Sequence, residues 1–538
     1  MSDRNVYLKP NVVFEPLVNK WYAWSHLISP ATAAMNLMGR HIPIMTSYIE
    51  NPELHAEAVR NAKMKGGPFI DLDGKKTAEI EKLKNDTLKQ QKRLVQLAAA
   101  INSLEDLLAR EATGEGLESL YPKVPALLRG LVELYYDRNN QPGYRFFESL
   151  LFKSEFYDPS NQRMAFWLTN NDERPFCLST PKIEQEGVLQ LPIPFHHAGI
   201  DVMAAMKRVP QSFNYIKEML DIPPEQEELF RSFFTEQVPP VYRKYEGDKI
   251  RMRYFGHACI LIETRELSIL VDPLISYYGY HSDVEHFSDA DLPDSIDYVL
   301  VTHNHQDHVL LETLLLLRHK VKQFIVPRTY GGRLEDPSLK LMMNAIGFNN
   351  VIEIDEMQEI RFEDAVITGI PFTGEHSDLN ILTKSCYLVQ IGQFKLLFLA
   401  DSRVQEPALY ERVARHTGDV DVMFLGMECE GAPLSWLYGP LMVKKLTRSQ
   451  DLSRRLSGSD CEKGMSLVNI FNPAEVYVYA MGQEPWLEFI TSIKLTEESH
   501  PIVQSNKLIA LCGEKGIIAE RLFGEKELLY NKDSMLVI

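Results

Sequence analysis

The rhythm of apolar positions along the chain changes near residue 245, and the helical period dominates before that point. Between Lys75 and Arg110, Leu94, Leu97, Ile101, Leu104 and Leu108 recur at steps of three and four, which places them on one face of an α-helix. Gly74 and Gly114 bracket the stretch, so the pattern predicts one long amphipathic helix whose stripe faces a core or a second copy of the chain. The opening segment EPLVNKWYAWSHLISPATAAMN is rich in aromatics and prolines without a clean period, and reads as an extended arm packing on a neighbour. Pro239 and Pro240 in EQVPPVYRKYEGDK then mark a linker.

Beyond the linker the period shortens. KIRMRYFG, ACILIET, LSILVDP, YVLVTH, FIVPR, AVITGI, SCYLVQIG, KLLFLAD, DVMFLGM and EVYVYAMG are short β-rich runs separated by turns or by helices such as Leu310 to Lys320. Strands interleaved with helices predict a layered α/β architecture. At 538 residues the chain is too long for a single core, so we expect a mainly helical amino-terminal domain over 1–245 and an α/β domain over 246–538.

Composition narrows the class of function. Apolar residues at 45% and charged residues at 24% are ordinary for a globular protein. The apolar run from Ala98 to Leu108 is broken by Asn102, Glu105 and Asp106, and MSDRNVYLKPN carries no apolar signal core, so no membrane association is expected. The six cysteines show no C-x-x-C pairing, which argues against a disulfide framework and a zinc knuckle and predicts reduced thiols in the cytoplasm. A net charge of −17 disfavours nucleic acid, whose phosphates demand clustered lysine and arginine.

Chemistry concentrates in VTHNHQDH, which sets three histidines and an aspartate into positions 303–308. Residues two apart in extended backbone point to one side, so His303 and His305 can converge on one metal. The chain then turns towards a helix beginning near His308, letting Asp307 and His308 face a second metal. Imidazole and carboxylate at this density suit first-row transition metals.

His303, His305, Asp307 and His308 spell the H-x-H-x-D-H signature, and over about 246–538 the chain resembles the metallo-β-lactamase fold, an αββα sandwich. The resemblance implies that Asp401 in FLADS bridges both metals. It also gives Asp272 in ILVDP the task of steadying the histidine loop; a turn aspartate before Pro273 is the bland alternative. His257 in FGHAC is taken as a satisfied loop histidine rather than a residue of the second coordination shell. Two departures from the hydrolases of this fold stand out. Where they place a third histidine, GIPFTGEHSDLN offers Glu375 beside His376, and either can bind. Where they place a late histidine, YAMGQE has Ala480 and Met481, neither of which can replace it. An anionic oxygen donor and a vacant position favour redox chemistry with dioxygen over plain hydrolysis.

These departures, with TGEHSDLN, FLADSR, MECEGAPLSWLYGP and the amino-terminal YLKPNVVFEPLVNKWYAWSHLISPATAAMN, resemble the dinuclear iron β-hydroxylases of nonribosomal peptide assembly lines, over most of the chain. The resemblance implies two iron ions, one held by His303, His305, Glu375 and Asp401 and the other by Asp307, His308 and the bridging Asp401. It implies a monooxygenase that takes dioxygen as co-substrate and hydroxylates the β-carbon of an amino acid carried as a thioester on a carrier domain, in antibiotic biosynthesis. Without a dinucleotide fingerprint or a cysteine array for an iron–sulfur cluster, electrons must come from a separate reductase. Glu428 and Glu430 can approach the metals or bind the substrate amine, and Trp436 and Tyr438 can wall the pocket. A capped strand end with core aromatics, and Cys429 as a buried small residue, is the alternative. Lys444, Lys445, Arg448, Arg454 and Arg455 in VKKLTRSQDLSRRLSG offer a docking patch for an acidic carrier, or simply a solvated face. A homodimer through the amino-terminal domain is expected. The competing reading is a di-zinc hydrolase of the same fold.

Overall fold

The computed structural model describes residues 4–533 apart from 62–63, 172–173, 241, 330, 363–364 and 493. Val241 of the linker and the first three residues of the amino-terminal stretch lie outside the described residues. Two seven-stranded sheets stack face to face. The first runs in the order Val351–Ile354, Val321–Pro327, Ile296–Leu300, Ser268–Val271, Ile260–Glu263, Ile250–Tyr254 and Lys526–Tyr530. The second runs Glu359–Arg361, Ala365–Ile370, Cys386–Ile391, Phe394–Phe398, Val422–Gly426, Glu475–Tyr479 and Ile518–Arg521. In each sheet antiparallel hairpins lead into parallel strands joined through helices.

Central strands such as Ser268–Val271 and Val422–Gly426 are buried throughout because both faces are covered, which is why they read as unbroken apolar runs. Ile262, Ile269, Val389 and Phe398 fill the space between the sheets. The outer face of the second sheet packs with Val413, Leu467 and Leu508, from the helices Pro407–Thr417, Cys461–Phe471 and His500–Glu514. The first sheet is covered by the helices Leu311–Leu317 and Leu339–Ala345, and over them lies the amino-terminal part. The predicted β-runs all form strands. Val351–Ile354, Glu359–Arg361, Ile518–Arg521 and Lys526–Tyr530 were not anticipated; all four lie at sheet edges, and the exposed positions of the last two weaken any apolar signal.

The amino-terminal part corrects two expectations, and the stretch after the metal motif a third. Helices are joined there by small sheets, one of which orders Trp21–Tyr22, Val12–Val18, Gln162–Leu168 and Leu189–Leu191. The opening segment is therefore not an arm on a neighbour. Val12–Val18 is buried at every position because it pairs with Gln162–Leu168 on one edge and packs on the helix Leu311–Leu317. The predicted long helix is two, Thr77–Gln90 and Lys92–Glu111. The first packs on Ile42–Glu50 and the second on Pro30–Asn36, so the chain bends at Gln91 to serve both contacts. The stripe Leu94, Leu97, Ile101, Leu104 and Leu108 is buried within this chain. Finally, the helix after the metal motif starts at Leu311, because residues 306–308 form a turn closed by the His308 and Val309 N–H groups on the His305 carbonyl.

The division near 245 is a division of the chain and not of the core. One apolar cluster runs from Phe14 and Leu97 through to Leu314 and Phe324. Buried Glu312 accepts from Tyr22 Oη (3.1 Å), Tyr277 Oη (2.8 Å) and Arg174 Nη1 (2.7 Å), tying the amino-terminal part to the helix that follows the motif. Among the described residues no helix is long and apolar enough to cross a membrane, and the six cysteines are free.

Candidate dinuclear metal centre

The side chains of the motif gather at one end of the sandwich because strand Ile296–Leu300 ends there, beside the ends of Ser268–Val271 and Phe394–Phe398. Ligand atoms of His303, His305 and Glu375 lie within 4.8 Å of one another, as do those of His303, His308 and Asp401. A third trio joins Asp307 and His308 to His257. Glu375 Oε1 sits 2.9 Å from His305 Nδ1, and Asp401 Oδ2 sits 3.2 Å from His308 Nε2 and 3.9 Å from His303 Nε2. The six sequence candidates thus share one centre.

Asp272 is far more than a turn residue. Fully buried, it accepts from Thr302 N–H (2.7 Å), Thr302 Oγ1 (2.6 Å) and His308 Nδ1 (2.8 Å). With its hydroxyl proton committed to Asp272, Thr302 Oγ1 accepts from His303 Nδ1 at 3.0 Å. Both imidazoles are held with Nδ1 protonated, which leaves each Nε2 lone pair free for a metal.

Glu375 has a positive φ of 58° and wedges between two histidines. His376 Nδ1 is 2.8 Å from Glu375 Oε2 but poorly aligned for a hydrogen bond, and His376 falls outside the ligand trios. Burial works to raise the Glu375 carboxyl, yet His305 and His376 overcome it and hold the group well below the carboxylate range. Burial likewise opposes charge on His308, and Asp401 and Asp272 reverse it. Glu428 is pushed up, first by burial and then by Asp401, Asp307 and Glu375. It lines the cavity beside the centre with the exposed Glu430, and neither belongs to a ligand trio.

Iron fits this constellation. Buried His303 Nε2, Asp401 Oδ1 and Glu375 Oε2 have no hydrogen-bond partner, and an orphaned buried polar atom costs about 1–3 kcal/mol. Such a cost at one spot is relieved by a cation, and a set of three imidazoles and three carboxylates suits a transition metal that cycles between two and three positive charges.

A cavity of about 1010 Å³ opens onto the centre. Its walls bring Arg40, Phe69 and Phe176 from the amino-terminal part against Asp307, Glu428 and Trp436. Tyr438 stands behind, its hydroxyl 3.3 Å from His305 Nε2. One neighbour of the centre was misread, and one contact of another was not foreseen. His257 faces Asp307 directly, and the signal was a histidine after glycine at a strand end, held at φ 50°. The contact of Tyr438 with His305 has no local signal, since 133 positions separate them. Met481 is buried on the outer face of the second sheet and Ala480 between the sheets, so neither supplies a ligand.

An αββα sandwich with a dinuclear site at the ends of its strands defines a metalloprotein of the β-lactamase superfamily, and residues 268–431 match the model of the beta-lactamase superfamily domain. Residues 7–239 match the model of the diiron non-heme beta-hydroxylase N-terminal domain. The chain is 38% identical, over 96% of its length and 98% of the relative's, to the 4-amino-L-phenylalanyl-(CmlP-peptidyl-carrier-protein) 3-hydroxylase of Streptomyces venezuelae. It superposes on the crystal structure of CmlA, a diiron beta-hydroxylase of the same organism, with a TM-score of 0.92 at 37% identity, covering 98% of this chain and 100% of that one. A single-residue variant of the CmlA beta-hydroxylase gives a TM-score of 0.89 at 36% identity over 97% and 99%. The chain belongs to the diiron β-hydroxylases. It is an oxygen-dependent hydroxylase with two irons as its cofactor, and the di-zinc hydrolase reading is set aside.

Proposed function

We propose that the chain hydroxylates the β-carbon of an amino acid held as a thioester on the carrier domain of a nonribosomal peptide synthetase. The observation that carries this reading is the cavity, whose walls combine both parts of the chain and which ends on Asp307, Glu375 and Asp401. A tethered substrate needs such an approach, long enough for an arm and closed enough at its end to keep water from the reaction. His303, His305, Glu375 and Asp401 would hold one iron, and Asp307 and His308, with Asp401 again, would hold the other. When bound, the iron pair supplies electrons and a site for dioxygen. Such a hydroxylation balances with one oxygen atom entering the C–H bond and the other leaving as water, at the cost of two protons and two electrons, which a separate reductase would return to the iron pair.

The chain's own groups position the substrate. Glu428, whose proton is held tightly among neighbouring acids, places a carboxyl where the substrate amine passes, and binding of that ammonium gives it the charge partner it lacks. Trp436 and Phe176 stack at 5.8 Å along the wall and shape the passage. At the outer end Arg448 and Arg455 line the cavity while Arg454 donates to the Ser377 carbonyl at 2.9 Å. With exposed Lys444 and Lys445 they form a basic face on an acidic protein, which suits an acidic carrier domain. Tyr121, Leu127, Phe147 and Leu150 expose apolar surface on the amino-terminal part, where we place the contact of a homodimer. We assign the amino-terminal division 1–245 to dimerisation and carrier contact, 246–538 to catalysis, and the protein to the cytoplasm.

The test is purification from iron-supplemented cells, metal analysis, and mass spectrometry of candidate aminoacyl carriers after reaction with reductant and air. The reading requires iron, consumption of oxygen and a mass gain of one oxygen atom. Zinc in both positions with turnover in the absence of oxygen would overturn it.

A further inference from the structure

His257 is left unused by this ligand assignment, yet it points into the centre. Its ring is buried, with Nε2 3.4 Å from Asp307 Oδ2 and without a hydrogen-bond partner. The residue sits at φ 50°, a backbone conformation that a side chain with a Cβ adopts at some cost. What holds it there is the loop after strand Glu475–Tyr479, the place where hydrolases of this fold carry their late histidine. The Ala480 N–H donates to the His257 carbonyl at 2.9 Å and the Gly482 N–H donates to His257 Nδ1 at 3.3 Å. The loop that lacks a ligand of its own grips another histidine by backbone and ring.

The second contact selects the tautomer. An Nδ1 that accepts an N–H carries no proton, so in the neutral ring the proton lies on Nε2. An Nε2–H cannot donate a lone pair to a metal. Direct ligation through Nε2 would move the proton to Nδ1 and set two N–H groups against each other. A carboxylate is the partner an Nε2–H seeks, and Asp307 is the one within reach.

We propose that His257 is a positioning residue for Asp307: its Nε2–H donates to Oδ2 and fixes the carboxylate that holds the second iron, and His257 is not itself a ligand. The inference rests on the two-iron reading given above. It explains how a centre without the late histidine keeps its second metal in place, since the hydrogen bond orients one of the three remaining ligands and leaves a coordination position open.

His257→Gln and His257→Leu separate the possibilities. Glutamine keeps an N–H near the Nε2 position but offers no imidazole lone pair, whereas leucine removes both. Iron per chain is measured after graded exposure to a chelator, and the Mössbauer spectrum reports the environment of each iron. Removing a group that orients a ligand typically costs about 10–100-fold in metal affinity. We expect that loss, confined to the second iron, in His257→Leu, and about wild-type affinity and spectrum in His257→Gln. Loss of the second iron in both variants would show direct ligation and overturn the proposal. Retention of both irons with an unchanged spectrum in the leucine variant would show that the ring only fills space, which also overturns it. Should leucine prevent folding, His257→Phe, which keeps a ring of similar size without either nitrogen, takes its place under the same criteria. A wild-type protein that binds fewer than two irons at saturation would instead refute the reading of the site on which the proposal stands.

Discussion

Replacing Asp272 by asparagine changes one atom and should disable the second metal position without disturbing the core. The asparagine Oδ1 can still accept the Thr302 N–H now 2.7 Å away, so the backbone of the motif stays in place. The new NH₂ group, however, confronts His308 Nδ1–H across the present 2.8 Å contact, donor against donor. The ring relieves the clash by shifting its proton to Nε2, the nitrogen that faces Asp401. Metal binding must then reverse that shift and restore the clash. The lost charge-assisted hydrogen bond is worth about 1.5–3 kcal/mol, which converts to about a 10- to 150-fold loss of affinity at the second iron. His303 is disturbed less, since it is reached only through Thr302 Oγ1. Iron per chain under chelator competition, with circular dichroism to verify the fold, measures the effect. An Asp272→Asn protein that retains both irons at wild-type affinity would refute the claim that this carboxylate sets the ligand tautomers.

Glu375→Ala should lower the affinity of the first iron and uncouple His305 from its 2.9 Å partner, seen as a drop in iron per chain, whereas His376→Ala should leave the iron content unchanged. Glu312→Leu takes from buried Arg174 the carboxylate 2.7 Å away, with Glu15 at 3.7 Å, so destabilisation of about 3 kcal/mol is expected from urea unfolding, and a change below about 1 kcal/mol would contradict a structural role for this pair. Glu148, which accepts from the Ser338 N–H at 3.1 Å, is pushed up to about 7 by burial. Its folded form binds the proton more tightly than the unfolded form, so its contribution to stability is full below the usual carboxylate range and fades as pH rises towards 7. Thermal melts of Glu148→Gln should therefore fall off less between pH 4.5 and 7 than those of the wild type.

Local pattern determined much of this protein. The strands Ser268–Val271 and Val422–Gly426 are buried on both faces because any sequence destined for the middle of a layered sheet must be so, and the apolar run itself announces them. The H-x-H-x-D-H stretch is equally self-contained, since a strand end followed by a turn suffices to bring its ligands together. Tertiary structure alone decided what depends on partners far along the chain. Whether Glu375 or His376 faces His305, whether Asp272 holds the histidine loop, and which group His257 addresses are fixed by contacts across 30 to 225 positions, for which a single sequence holds no signal. The same holds for the bend at Gln91, which follows from two packing surfaces in different directions, and for the opening segment, buried by a helix that lies some 300 residues further on. Periodicity reports which side of an element is apolar; only the assembled fold decides what that side meets.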